Sequence, residues 1–95
     1  MTILGSLETD LARHALGLTG GRRRSSRNHF VTDGGPDYAA WMGLVARGLA
    51  RRRAGSALTG DMDLFLLTRA GAEAALRPGE ALDPHVFRPS EEVGA

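Results

Sequence analysis

The sequence predicts a small α+β domain of about three helices and one β-hairpin, followed by an extended C-terminal tail. Two stretches with apolar residues every three or four positions call for amphipathic helices. An apolar run bounded by turn residues calls for strands, and a proline-rich end calls for an irregular tail. With 95 residues, 42% hydrophobic and 24% charged, the chain can build one core and no second domain. The domain is expected over residues 1–77 and the tail over residues 78–95.

The first helix follows from Leu4, Leu7, Leu11, Ala15 and Leu18, which fall on one face. Ser6 is its expected N-cap, Glu8 and Asp10 suit the positive end of its dipole, and Gly17 with Gly20-Gly21 supplies the stop. Residues 20–36 read mostly as loop, with one helical turn around Ser26 to Phe30 and only Phe30 and Val31 as anchors. The clearest helix runs from Tyr38 to Arg53 after Pro36, with Tyr38, Trp41, Met42, Val45 and Leu49 as its buried stripe and Leu44 at the edge. Arg51, Arg52 and Arg53 then close it where the dipole favours positive charge. Beyond Gly55, Ala57-Leu58-Thr59, a turn at residues 60–63 and Leu64 to Leu67 read as a hairpin. Thr68 is the expected N-cap of a last short helix, Ala70 to Leu76. After Pro78 the chain should lie extended, with Val86 and Phe87 to pin it and Pro89, Glu91 and Glu92 near its end.

The formal net charge of +1 hides a strong asymmetry. Residues 11–60 carry nine arginines against two aspartates, and residues 61–95 carry three arginines against seven acids. The sequence contains no cysteine, so a disulfide scaffold and thiolate metal sites are excluded and a reducing, cytoplasmic setting is expected. No apolar run approaches the ~18 residues needed to cross a bilayer, so no membrane partner is expected. His14, His29 and His85 lack metal-ligand spacing, and no nucleophile and base stand in a known constellation. Neither a cofactor, a metal nor catalysis is expected; His29 reads as a hydrogen-bonding group that docks its loop.

Leu44-Val45-Ala46-Arg47-Gly48-Leu49, the arginines that follow, and Leu67-Thr68-Arg69-Ala70-Gly71 resemble the latter half of a winged-helix domain, over roughly residues 37–76. That resemblance implies a recognition helix, a two-stranded wing and DNA binding. Residues 20–35 stand where the family places the first helix of its helix-turn-helix, which makes this a degenerate member. Arg27-Asn28-His29-Phe30-Val31 ahead of Trp41-Met42-Gly43-Leu44-Val45 is similar to small proteins of phages and prophages. That group includes DNA-binding regulators and anti-CRISPR proteins, so the resemblance implies a binding or inhibitory role in a host bacterial cell.

Two arginine clusters are the candidate site. Arg22, Arg23, Arg24 and Arg27 lie in a glycine-flanked stretch, and Arg47, Arg51, Arg52 and Arg53 follow the central helix. Guanidinium groups pair bidentately with phosphate oxygens. The expected partner is nucleic acid, DNA ahead of RNA, or a host nucleoprotein effector complex met through acidic protein surface with Tyr38 or Phe30 as anchors. Consecutive apolar residues Leu64 to Leu67 leave a hairpin with a second face to cover, for which a homodimer is one solution.

Overall fold

In the first helix, α1 (Ser6–Leu16), the Glu8 side chain reaches back to accept from the Gly5 N–H at 2.8 Å. Gly5 is therefore the N-cap, and Ser6, expected there, is the first helical residue. The helix ends where Gly17 turns left-handed, with φ 77°. Leu11, Ala12, Ala15, Leu16 and then Leu18 are buried, whereas Leu7 at the start of the expected stripe is exposed. The computed structural model describes residues 2–87.

Four further elements and a single 3-10 turn separate α1 from a last helix: β1 (Phe30–Thr32), α2 (Gly35–Ala46), β2 (Ala50–Arg53), the turn Ala57–Thr59, β3 (Asp63–Leu67) and finally α3 (Arg69–Ala74). The three strands form an antiparallel sheet in the order β1-β3-β2. The α+β class is as expected, with three helices. The hairpin is different: its first strand is β2, and Ala57-Leu58-Thr59 is a 3-10 turn inside the connecting loop.

Two further corrections share a cause in backbone hydrogen bonding. The central helix stops at Ala46 instead of Arg53 because Gly48 takes φ 74°. The Gly48 N–H then donates to the Val45 carbonyl and the Leu49 N–H to that of Leu44. That is a Schellman stop, the same closure that Gly17 and Leu18 make on His14 and Arg13. The helical turn expected at Ser26 to Phe30 is extended chain leading into β1. Asn28 holds it there: its side-chain amide donates to the Leu67 carbonyl at 2.9 Å and accepts from the Leu67 N–H at 2.8 Å, imitating one rung of the β1–β3 ladder.

The core sits between the helices and one face of the sheet. Trp41 and Phe65 are fully buried and stack with ring centroids 5.5 Å apart. Phe30 tilts against Trp41 at 5.5 Å and Tyr38 meets Phe65 edge-on at 5.6 Å, an arrangement favoured by the ring quadrupoles. Met42, expected in the buried stripe, is 37% exposed, and Leu44, expected at its edge, is fully buried. Thr68 caps α3 as expected, accepting from the Gly71 N–H. Its own N–H donates to the Leu49 carbonyl at 3.0 Å. Gly71 sits so close that a Cβ would collide with that carbonyl.

After Pro78 the chain runs along the domain as far as Phe87, which is buried in the core. Ala81 donates to the Arg23 carbonyl at 2.8 Å and accepts from the Ser25 N–H at 3.0 Å. The buried Ser25 hydroxyl accepts from the Asp83 N–H at 2.7 Å. Of the two anchors expected for this stretch, Phe30 packs against the core and Val31 is exposed, and Ser25 supplies a hold that was not expected. The last part of the expected tail, residues 88–95, lies outside the described residues.

Candidate binding surface

Antiparallel pairing puts cross-strand partners on the same face of a sheet. Arg52 faces Phe65 and Ala50 faces Leu67 on the inner side; Arg51 faces Leu66 and Arg53 faces Leu64 on the outer side. The three-arginine run is therefore divided by strand parity, which no helical reading would produce. Val31 of β1 also pairs with Leu64. The outer face is consequently a strip of Val31, Leu64 and Leu66 bordered by Arg51 and Arg53.

Arg52 is engaged on the inner side. Its Nε donates to Asp63 Oδ2 at 2.7 Å, the Tyr38 hydroxyl donates to the same oxygen at 2.7 Å, and the Gly55 N–H donates to Oδ1 at 2.9 Å. The Tyr38 hydroxyl and then the Arg52 guanidinium hold the Asp63 carboxyl below the usual carboxylate range. Tyr38, a candidate anchor, has its hydroxyl committed to this hub and its ring on Phe65. Arg47, the first of the second cluster, turns back to α1. It donates to both Glu8 oxygens, at 3.1 and 3.3 Å, and to the Ile3 carbonyl at 2.7 Å.

In the first cluster, the Arg27 guanidinium donates through Nε and Nη2 to the His14 carbonyl at the end of α1. Arg22, Arg23 and Arg24 are exposed. Among the described residues no carboxylate forms an ion pair with Arg22, Arg23, Arg24, Arg51 or Arg53. The eight candidate arginines therefore separate into five that face solvent without a carboxylate and three that tie parts of the fold together. Among the described residues the His29 ring makes no hydrogen bond; Asn28 makes the link expected of it, and the His29 backbone N–H donates to the Ala15 carbonyl.

The loop between β2 and β3 is braced from within. Thr59 Oγ1 accepts from the Ser56 N–H at 3.0 Å and donates to the Met62 carbonyl at 2.6 Å, while the Asp61 N–H donates to the Ser56 carbonyl at 2.8 Å. At its tip Leu58 is 98% exposed. Neither Leu58 nor Arg77, an exposed arginine just beyond α3, stood out in the sequence, since each is a single residue outside any cluster.

No helix among the described residues is long and apolar enough to cross a membrane. No family model, curated protein or solved structure matches the chain.

Proposed function

We propose that this chain is a non-enzymatic accessory protein of the phage or mobile-element type, built as a degenerate winged helix, that binds nucleic acid through the phosphate backbone. The observation that carries the reading is the set of exposed arginines that have no carboxylate partner among the described residues: Arg22, Arg23 and Arg24 before β1, and Arg51 and Arg53 on the outer sheet face. The strand order β1-β3-β2, with α2 ahead of β2 and a braced loop joining β2 to β3, supports the winged-helix comparison. Only one helix, α2, lies between β1 and β2, where a helix-turn-helix needs two. Moreover α2 carries no basic residue, and the Tyr38 hydroxyl is engaged. Base edges have little to meet on that helix, so phosphate contacts dominate and discrimination between sequences is weak.

Titration with duplex DNA over a range of salt tests this reading. Binding should weaken steeply as salt rises, and Arg51→Gln and Arg53→Gln should each reduce the slope of log affinity against log salt by roughly one. Absence of binding to duplex at low salt would overturn it. The same arginines on an acidic protein surface give a second reading, an anti-CRISPR-type inhibitor of a host nucleoprotein effector. The exposed Leu58 and the strip of Val31, Leu64 and Leu66, bordered on its β2 side by Arg51 and Arg53, favour it, because apolar anchors beside arginine suit protein interfaces. A complex with one such effector that tolerates salt and is lost with Leu58→Asp would select this alternative.

A further inference from the structure

We propose that the cleft at the C-terminal end of α1 is a phosphate-binding site, with Arg22 and Arg77 as its two cationic jaws. The inference rests on the phosphate-binding reading above and adds a defined place and a residue, Arg77, that no cluster contains. The cleft has a volume of about 440 Å³, within the range that small-molecule sites occupy. Arg22 and Arg77 come from loops 55 positions apart and meet at the same opening. Among the described residues neither forms an ion pair with a carboxylate.

The cleft wall includes Gly20 and Gly21, both left-handed, at φ 65° and 82°. A Cβ built on either would meet no atom within 4 Å, so the glycines leave open space toward which a ligand can approach the backbone. His14 and Thr19 add polar groups to the lining.

Two features could repel an anion here, and both are accounted for. The negative end of a helix dipole is the first. At α1 all four terminal carbonyls are engaged: those of Arg13 and His14 by Gly17 and Leu18 N–H groups, His14 also by the Arg27 guanidinium, Ala15 by the His29 N–H, and Leu16 by the Ser26 and Arg27 N–H groups. Asp10 is the second, the one carboxylate that the described residues contribute to the lining. Arg13 at the same wall is balanced by Glu80 and adds no net charge. Arg22 and Arg77 therefore outweigh Asp10.

The ligand chemistry is a phosphate oxygen set, which a nucleic-acid backbone and a free mononucleotide both present. Amide NMR titrations with inorganic phosphate, a mononucleotide and a short duplex separate these sources. Saturable shifts are expected at the Gly20 and Gly21 amides. Arg77→Gln should weaken the affinity about tenfold, as loss of a charge-assisted hydrogen bond predicts, and Asp10→Asn should strengthen it about threefold. Unmoved Gly20 and Gly21 amides with all three probes, or an Arg77→Gln affinity equal to that of the parent, overturns the site. If duplex still binds with its full salt slope in that case, the broader nucleic-acid reading survives without the cleft. If the small phosphates saturate the site and duplex does not bind at low salt, the cleft stands and the broader reading falls.

Discussion

At the junction between α1 and the C-terminal segment, Arg13 lies with 9% of its side chain exposed, and its two terminal nitrogens meet the two oxygens of Glu80 at 2.5 and 2.7 Å. It also donates to the Ala75 carbonyl at the end of α3. On the outer face of β2, Arg51 and Arg53 are exposed beside Leu66 and Leu64, with no ion-pair carboxylate among the described residues. The same side chain thus locks three segments together in one region and leaves its charge available in the other. What separates the two is the company each position keeps: Glu80 is brought 67 residues along the chain to Arg13, whereas β2 offers Arg51 and Arg53 only apolar cross-strand neighbours.

The largest break in this contrast should come from Arg13→Ala. It leaves the Glu80 carboxylate, 10% exposed, without its partner, and loss of one member of a buried pair costs about 3 kcal/mol. Chemical denaturation should report that loss, while a similar change at Arg51 or Arg53 should alter stability by less than about 0.5 kcal/mol. Equal effects at all three sites would remove the distinction.

Acid sharpens it further. The Arg13 guanidinium, followed by the Arg77 N–H, holds the Glu80 carboxyl down to about 2 from its ordinary 4.5. A depressed carboxylate contributes its stability fully above the unfolded value and loses it as pH falls through the folded one. Stability should therefore decline between about pH 4.5 and 2. In Glu80→Gln that share of the decline should disappear from urea midpoints measured across the same range; an unchanged profile would contradict the assignment.

A more modest loss than that of Arg13→Ala tests how β2 acquires its alternation. Gly48→Ala forces a Cβ into left-handed backbone, although nothing lies within 4 Å of it. The cost should be about 1 kcal/mol, purely conformational. Thermal melts would measure it, and a stabilised variant would show that the helix stop does not depend on that glycine.

Much of the helical architecture was legible because its signals are local. Gly17 after an apolar-periodic stretch, Pro36 at a helix start and Thr68 three residues before Gly71 each act through a hydrogen bond or dihedral within one turn. Gly48-Leu49 carries the same stop as Gly17-Leu18 but was masked by three arginines, good helix formers that extended the apparent helix. Once that stop is placed, parity along β2 follows, and with it the separation of Arg52 from Arg51 and Arg53. Phe30-Val31-Thr32 has the aromatic and β-branched content of a strand, yet three residues are too few to stand out from a loop. The engagement of Arg47 by Glu8, of Tyr38 by Asp63 and of Asn28 by Leu67 spans 39, 25 and 39 residues, and no periodicity in one chain encodes such a meeting. Arg77 escaped for the opposite reason: it has no neighbours of its kind, and only the folded chain sets it across from Arg22.

The placement of β3 between β1 and β2 has a temporal consequence. Its five residues are the last strand to emerge from a ribosome, and until they arrive the two earlier strands have nothing to join them, since they never touch each other's ladder. Assembly of the sheet must await synthesis through Leu67, after which a single strand can zip both flanks at once.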